Sequence, residues 1–498
     1  MMAESTLLTA TWVIPFLIAL FTIFIPKEND SSIKRFNLIG SGINLSLVIY
    51  LTVRFVNAMH AGLGDANGLY FAKKVPWFGK LNIEYNIGVD GISILMMLLT
   101  GIVVFCGVLA SWGLKDQTKE FFIMLNILVA GVFGVFISFD LFTFFLFYEV
   151  AVLPMYLLIG LWGTGKKEYA AMKLTLMLVG GSALILAGIL GLYFEANSFD
   201  IMVIAQTNLP ESFQYWAFPA LFLGFGILGA LFPFHTWSPD GHASAPTAVS
   251  MLHAGVLMKL GGYGCLRVAI FLCPEGCNEW MSVFLILTTI NICYGAFAAI
   301  KQTDLKYVTA YSSVSHCGFV LFAFAAMTQT AFQGAVLQMI SHGLMTALFF
   351  CLIGMIYGRT HTRIMGDMGG LMQRIPFLGV AFIIAGLASL GLPGLSGFVA
   401  EVTIFVGAFE NGNIVNRVCT VLAILSIVVT AVYVLRAANQ MLMGPLNPEF
   451  EKLEDATYIE KIPVIILLFC LFAFGISPGW IIEIVNHSIE PIFKAVGR

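Results

Sequence analysis

Charged residues are scarce in this 498-residue chain, at 11% of the sequence, whereas hydrophobic residues make up 59%. Soluble domains carry about 25% charged residues, so an ordinary water-soluble fold is excluded. Apolar runs of about 18 residues or more, the length that crosses a bilayer as a helix, recur along most of the chain. We therefore predict an all-α polytopic membrane protein with about 14 transmembrane helices.

The sequence also lacks the motifs that bind nucleotides and redox centres. No Gly-x-Gly-x-x-Gly fingerprint opens a strand–helix unit, and no phosphate-binding loop occurs. The nine cysteines are scattered, at spacings that match neither a zinc site nor an iron–sulfur cluster. No basic patch suits a nucleic acid. We expect no metal, no redox centre and no nucleic-acid partner in this chain.

No polar segment is long enough for a soluble domain, and the largest loops cover 58–88 and 195–214. The predicted spans are 6–25, 36–57, 89–113, 120–138, 140–162, 170–194, 215–236, 246–272, 279–300, 307–328, 331–358, 376–409, 415–441 and 459–485. We divide the chain into three N-terminal helices (1–115), a first five-helix unit (120–272), a second five-helix unit (279–441) and a last helix with its tail (459–498).

Two of these spans contain residues that interrupt a helix. Span 7 includes Leu231-Phe-Pro-Phe-His235, and span 12 includes Leu390-Gly-Leu-Pro-Gly-Leu-Ser-Gly397. Such interruptions free backbone groups that only protein or water can satisfy, and transporters place ion sites at them. Because the two breaks lie five spans apart, they indicate two related units.

The basic residues are distributed unequally between the two ends of the predicted bundle. Sixteen lysines and arginines fall in the loops that follow odd-numbered spans, and eight fall on the opposite side. The richer side is the cytoplasmic side by the positive-inside rule, so both termini are expected outside the cytoplasm.

Lys259 lies in the middle of an apolar span, Met251 to Arg267. A charge at bilayer depth costs at least ~2.5–3.5 kcal/mol, so it persists only where a protein interior or a water path supports it. Burial favours the neutral amine, and such a lysine can exchange a proton near neutral pH. Proton transfer inside the membrane is the first hypothesis, and a purely structural counter-ion is the alternative.

Other ionisable residues occur in different apolar spans and could line a common axis. They are Glu149, His253, His316, His342 and Glu401. Carboxylates, histidines and a lysine together cover the range of proton affinities that a relay needs. Each also has a simpler interpretation, because a carboxylate can form a packing ion pair and a histidine can bond a backbone carbonyl. His235, His242 and Lys306 lie near span ends, where they form either a proton-loading site or a structural network.

The motifs around these residues resemble a known family, the antiporter-like subunits of proton-pumping NADH:quinone oxidoreductase, respiratory complex I. The resemblance extends from about Asp90 to Glu401 and onward. Its motifs are Glu149-x4-Pro154-Met-Tyr, Phe232-Pro-Phe-His-Thr-Trp237, His242-Ala-Ser-Ala-Pro246, Ala254-Gly-Val-Leu-Met-Lys259-Leu-Gly-Gly-Tyr-Gly, Asp304-Leu-Lys306, Tyr311-Ser-Ser-Val-Ser-His316, Gln338-Met-Ile-Ser-His342, Arg359-Thr-His-Thr-Arg363, Met368-Gly-Gly-Leu and Leu390 to Glu401. Length and span count favour the M-type of these subunits.

The resemblance implies a fourteen-helix fold with two inverted five-helix repeats, broken in helices 7 and 12. It also implies a proton path through the middle of the membrane. In that path Glu149 would be the carboxylate of a helix-five ion pair, Lys259 the central carrier, and Glu401 the terminal site. His316 and His342 would be relays between them.

One position departs from the family pattern. The family usually carries a lysine in helix seven, seven residues before the position of His235, and here that residue is Leu228. Its partner Glu149 is retained, so the usual glutamate–lysine pair cannot form. His253 is a candidate replacement, because it lies six residues, about 9 Å, before Lys259 on the same helix. We hypothesise that His253 serves Glu149 or the relay, and a packing histidine is the alternative.

The resemblance implies a proton-translocating subunit driven by redox chemistry on partner chains. The whole complex would use NADH, FMN, iron–sulfur clusters and quinone, and its other membrane-arm subunits would be the partners. The expected location is the bacterial inner membrane, with both termini periplasmic. A cation/proton antiporter subunit of the Mrp type, or a membrane subunit of a hydrogenase-like complex, would share the fold and many motifs.

Overall fold

The computed structural model describes residues 2–65 and 67–497. Within these ranges, eleven helices are long and apolar enough to cross a membrane, which confirms the predicted class. The α-helices are α1 (Met2–Thr22), α2 (Asp30–His60), α3 (Gly91–Ala110), α4 (Thr118–Ile137), α5 (Leu141–Val152), α6 (Pro154–Trp162), α7 (Lys167–Ala196), α8 (Ile201–Gln206), α9 (Glu211–Leu228), α10 (Trp237–Ser244), α11 (Thr247–Leu252), α12 (Met258–Gly264), α13 (Pro274–Lys301), α14 (Leu305–Ala325), α15 (Gln329–Thr360), α16 (Pro376–Ser389), α17 (Ser396–Glu410), α18 (Ile414–Leu442), α19 (Tyr458–Ile476) and α20 (Gly479–Ala495).

The eleven, which count α5 and α6 together as Leu141–Trp162, do not include predicted spans 7, 8 and 12, and each of these three is interrupted. In span 7 the helix α9 ends at Leu228 and α10 begins at Trp237. In span 12 the break separates α16 from α17. Both interruptions coincide with the Pro- and Gly-containing motifs of the sequence, where helical hydrogen bonding cannot continue.

Span 8, which carries Lys259, is not the regular helix that its sequence predicts. It consists of α11, a π-helical turn at His253–Leu257, α12, and a second π-helical turn at Cys265–Ile270. A π-helical turn adds one residue per turn and often occurs at functional sites. The change of pitch alters where each side chain points, so the six-residue spacing of His253 and Lys259 does not by itself fix their relative directions.

One feature that the sequence did not predict is a β-hairpin in the long loop before α3. Strands β1 (Tyr70–Phe78) and β2 (Ile83–Val89) pair antiparallel. The strands are joined by a short 3₁₀ turn, after which Asn82 adopts φ 50°. Lys74 on β1 forms an ion pair with Asp200, which fastens the hairpin to the start of α8.

The C-terminal boundary also differs from the prediction. The last span ends at Ile476, and Ser477-Pro478 separates it from α20. The apolar face of α20 is buried against α3 and α15. Its polar face bonds the hairpin region, with His487 Nε2 2.9 Å from the Tyr70 hydroxyl. The expected tail is therefore a second helix that lies at the hairpin end of the bundle.

Helices α14 and α15 form the centre of the molecule. Their apolar segments are 94% buried, whereas those of α7 and α18 are 39% buried and expose apolar side chains outward. Apolar residues on the outside are expected where lipid is the solvent. His316 on α14 and His342 on α15 are thus held in the protein interior, away from that outer surface.

Candidate functional site

Lys259 and His342 form the centre of the site. Lys259 Nζ lies 2.8 Å from His342 Nδ1 and also donates to the carbonyl oxygen of Ala254 in the π-helical turn before it. Both residues are buried, with Lys259 2% exposed and His342 1% exposed. A buried amine is therefore placed in hydrogen-bond contact with an imidazole nitrogen, the geometry that proton exchange requires.

A second histidine continues the line away from Lys259. The rings of His342 and His316 are stacked, with centroids 5.2 Å apart. His316 Nε2 lies 3.0 Å from the Ser389 hydroxyl at the end of α16. The amide of Gln338 approaches His316 Nδ1 to 3.1 Å. Both ring nitrogens of His316 thus have hydrogen-bond partners, which fix its orientation.

Glu401 completes the line next to the break in span 12. Its Oε1 lies 3.6 Å from His316 Nδ1, and the residue is 3% exposed. The break makes room for this carboxyl group, because a Cβ on Gly391 would lie 2.5 Å from Glu401 Oε2. Gly391 also adopts φ +64°, a conformation that other residues rarely take. The structure therefore brings together Lys259, His342, His316 and Glu401.

His242 and His253 form a second buried cluster on the other side of Lys259 along the chain. Their ring centroids are 4.3 Å apart, and His253 also contacts the ring of Trp237 at 5.2 Å. His242 Nε2 lies 3.2 Å from the sulfur of Met258. Within the described ranges, neither ring nitrogen of His253 has a hydrogen-bond partner. Buried ring nitrogens normally have hydrogen-bond partners. Both nitrogens of His235 also lack them among the described residues, so the contact with His242 is what sets His253 apart.

Near this cluster a polar cavity of about 640 Å³ opens between α7, α10 and α14. Asp240 lines it and is held between Lys173 Nζ, at 2.8 Å, and the Tyr307 hydroxyl, at 3.1 Å. The neighbouring Lys306 is buried, and its Nζ donates to the carbonyl of Ala245 at 2.6 Å. We call this cavity the Asp240 vestibule.

Glu149 and His235 stand apart from these clusters. Glu149 is only partly buried on α5, and its Oε1 has no hydrogen-bond partner among the described residues. In the same ranges no ion pair includes Glu149. Leu228 is fully buried at the end of α9. His235 contacts the rings of Phe232 and Tyr294, at 5.5 and 4.8 Å.

Several polar residues of the site are absent from the sequence prediction. Gln338 lies four residues before His342 on α15, so helical periodicity offered a signal for it. Ser389 and Asp240 gave no such signal, because their partners are distant in sequence. Cys317 follows His316 directly, and its thiol reaches His342 across the helix interface. Only the packing of α14 against α15 reveals that contact.

The family model for the transmembrane region of NADH:quinone oxidoreductase and Mrp antiporter subunits matches residues 138–428. This range covers more than half of the chain and includes the whole line from Lys259 to Glu401. The chain belongs to this family. Its predicted membership is confirmed on that basis.

Curated relatives from the family are similar over nearly the whole length. NAD(P)H-quinone oxidoreductase chain 4-1 of Synechocystis sp. is 34% identical over 500 residues, covering 99% of this chain and 94% of that relative. NADH-quinone oxidoreductase subunit M of Rickettsia conorii is 32% identical, covering 98% of this chain and 99% of that relative. Relatives of this kind confirm the M-type, or chain 4, assignment within the family.

Solved structures agree with the family assignment. A chain of respiratory complex I from Thermus thermophilus with bound NADH aligns with a TM-score of 0.88 at 26% identity, covering 99% of this chain and 100% of that one. A chain of the Mrp complex from Dietzia sp. aligns with a TM-score of 0.87 at 18% identity, covering all of both chains. The second likeness concerns the fold alone. The family member described here is therefore an antiporter-like membrane subunit of the complex I type.

Proposed function

We propose that this chain translocates protons as the M-type membrane-arm subunit of an NADH:quinone oxidoreductase. The redox chemistry takes place in partner subunits, where NADH and quinone react. The observation that carries the proposal is the row of neighbouring buried titratable groups from Lys259 through His342 and His316 to Glu401. Burying four such groups is expensive, and a proton path gives them a reason to be there.

Each step of this row has a defined chemistry. Lys259 transfers a proton from Nζ to Nδ1 of His342, over the 2.8 Å contact. The stacked rings are 5.2 Å apart, so the step to His316 needs a bridging water or a ring rotation. His316 then passes a proton to Glu401, and because Oε1 lies 3.6 Å from Nδ1, beyond hydrogen-bond distance, this step also needs a bridging water or a side-chain movement. Glu401 is the terminal acceptor within the chain.

The loading side of the relay is the Asp240 vestibule. Asp240 and Tyr307 face that cavity, and Lys306 and His242 are buried behind it. His253 joins His242 to the segment that carries Lys259, through the 4.3 Å contact of the two rings. We propose that His253 serves the relay on this side rather than Glu149. His235, enclosed by aromatic rings, belongs to the structural network.

The orientation and location of the chain follow from the same proposal. The vestibule opens at the end of the bundle that is richer in lysine and arginine, which the positive-inside rule places in the cytoplasm. The hairpin, α20 and both termini are then periplasmic, in a bacterial inner membrane. Other membrane-arm subunits pack against the exposed apolar sides. The resemblance makes Glu149 a relay member, but this residue lies partly exposed on α5 at such a side, outside the row, and we assign it no step of the relay.

A cation/proton antiporter subunit of the Mrp type is the second candidate, favoured by the shared fold at a TM-score of 0.87. The two functions differ in what drives the protons. The complex I function needs NADH oxidation, whereas an Mrp-type subunit exchanges Na⁺ for H⁺ without it. Sealed vesicles that exchange Na⁺ for H⁺ in the absence of NADH would favour the second candidate.

The decisive test is Lys259→Met in the assembled complex, reconstituted in sealed vesicles. Methionine fills a similar volume but carries no proton, so NADH-driven proton translocation should fall at least about tenfold, since general acid–base groups contribute about 10²–10⁴-fold. Lys34→Met is the matched control, because Lys34 is also buried and bonds a carbonyl, that of Leu114, outside the row. Normal pumping by a correctly assembled Lys259→Met complex would refute the relay.

A further inference from the structure

The thiol of Cys317 reaches the same ring nitrogen that Lys259 contacts. Cys317 Sγ lies 3.8 Å from His342 Nδ1, and Lys259 Nζ lies 2.8 Å from that atom. Cys317 and Lys259 also line one small cavity of about 10 Å³, together with Met258 and Met339. The thiol is buried, with its residue 4% exposed. Two side chains therefore converge on one hydrogen-bonding position.

An imidazole nitrogen accepts one hydrogen bond through its lone pair or donates one through its N–H. The ammonium group of Lys259 can use only the lone pair, because it has no acceptor. A thiol can do either, since S–H is a weak donor and the sulfur is a weak acceptor. Cys317 is thus able to satisfy Nδ1 of His342 both before and after that nitrogen takes up a proton.

Lys259 has a second partner to which it can withdraw. Its Nζ already donates to the Ala254 carbonyl, in the π-helical turn. When Lys259 keeps only that bond, Nδ1 of His342 loses its closest partner. An unpaired polar atom in a buried site is unfavourable, and the thiol of Cys317 is the neighbouring group with a described contact to that atom.

We propose that Cys317 is a positioning residue of the relay, the alternate hydrogen-bond partner that holds the His342 ring in place while Lys259 is turned away from it. This inference rests on the proposed function of Lys259 and His342. Nδ1 of His342 would then have two alternative hydrogen-bond partners, the amine of Lys259 or the thiol of Cys317. The ring then stays aligned with His316 through both arrangements.

The first test compares Cys317→Ser with Cys317→Ala in the assembled complex in sealed vesicles. The two variants differ by one hydroxyl group, which can donate and accept as the thiol does. Cys317→Ser should pump protons at close to the normal rate, and Cys317→Ala should pump about fivefold more slowly, which is the factor that one lost hydrogen bond corresponds to. Cys265→Ala is the control, because the Cys265 thiol bonds the Phe222 carbonyl, away from the relay.

The second test follows the S–H stretching band of Cys317 by infrared spectroscopy of the same complex. Subtracting the spectrum of Cys317→Ala isolates this thiol from the other cysteines. Lys259→Met should shift the band to lower frequency, because the thiol then has the Nδ1 lone pair to itself. His342→Phe should shift it to higher frequency, because no acceptor remains.

The two tests separate this inference from the proposed function. A band that stays in place in both variants overturns the inference, even if Lys259→Met abolishes pumping. A band that shifts as expected supports the contact, even if pumping proves independent of Lys259. Normal pumping by Cys317→Ala also overturns a positioning role.

Discussion

The two interrupted spans of the molecule differ in the chemistry they carry. In span 12 the break at Gly391 admits the carboxyl group of Glu401 to a buried row with His316. In span 7 the helix ends at Leu228, an apolar residue, and the carboxylate predicted to pair with that position, Glu149, has no ion-pair partner among the described residues. Similar backbone interruptions thus accompany a carboxyl group within the row in one half and a carboxyl group outside any described ion pair in the other.

This difference shows that the backbone break by itself does not make a proton site. A break frees backbone groups and space, but a titratable side chain must occupy that space. Gly391 leaves room for a carboxyl group. The segment after Leu228 instead leads to α10, where His242 contacts His253 on the neighbouring span. The first unit contributes a histidine pair where the second contributes a carboxylate.

The largest expected effect compares the two carboxylates directly. Glu401→Gln should lower NADH-driven proton translocation at least about tenfold, because the terminal acceptor of the row is lost. Glu149→Gln should leave most of it, because Glu149 has no partner in the row. Both variants are measured as proton translocation per NADH in sealed vesicles. Equal losses of proton translocation in the two variants would contradict the view that Glu401 belongs to the relay and Glu149 does not.

A smaller effect is expected for His253→Leu, which removes the titratable ring but keeps an apolar side chain of similar reach. Proton translocation should fall about fivefold, which corresponds to about 1 kcal/mol. The effect is smaller than for Glu401→Gln because His242 keeps a second titratable ring on the loading side. His235→Leu is the control, since His235 is enclosed by aromatic rings and lies apart from Lys259. Full proton translocation by His253→Leu would make this residue a packing histidine.

The smallest effect concerns the stability of the fold and its dependence on pH. It is expected from Asp140, a carboxyl group of the first unit that lies just before α5, outside the membrane-spanning helix. Asp140 is fully buried between β2 and α5, where it accepts hydrogen bonds from the backbone N–H groups of Thr143 and Glu84. Burial is the main cause that raises its pKa to about 6, and the charge of Asp200 adds to the effect. Folding therefore favours the protonated form of Asp140.

The sign of the pH dependence follows from that shift. The folded state binds a proton that the unfolded chain releases between about pH 4 and pH 6, so this stabilisation is full below about pH 4 and is lost as the pH rises through about 6. It amounts to about 3 kcal/mol. Asp140→Asn should flatten this part of the curve when thermal unfolding of the detergent-solubilised chain is followed from about pH 4 to about pH 7. Asp65→Asn, at an exposed site of the same end, is the control, and a curve that Asp140→Asn leaves unchanged would contradict the assignment.

Much of the site was predictable because ionisable residues are rare within apolar membrane spans and are easily recognised there. Lys259, His316, His342 and Glu401 stand out in apolar spans, and the structure places them in one row. The roles of these residues remain proposals. His253 was hypothesised to serve either Glu149 or the relay, and its ring contacts Trp237 and His242 on α10. Residue spacing did not indicate these contacts, because the two π-helical turns change the directions of the side chains on this span.

The sequence by itself determined the class of the protein, because long apolar runs can satisfy their backbone only as helices in lipid. It also determined the two helix breaks, since proline and glycine act locally. Only the tertiary structure decided that Cys317 meets His342, that Gly391 makes room for Glu401, and that a hairpin closes one end of the bundle. These contacts join residues far apart in the chain, and their existence depends on how helices pack rather than on any local pattern.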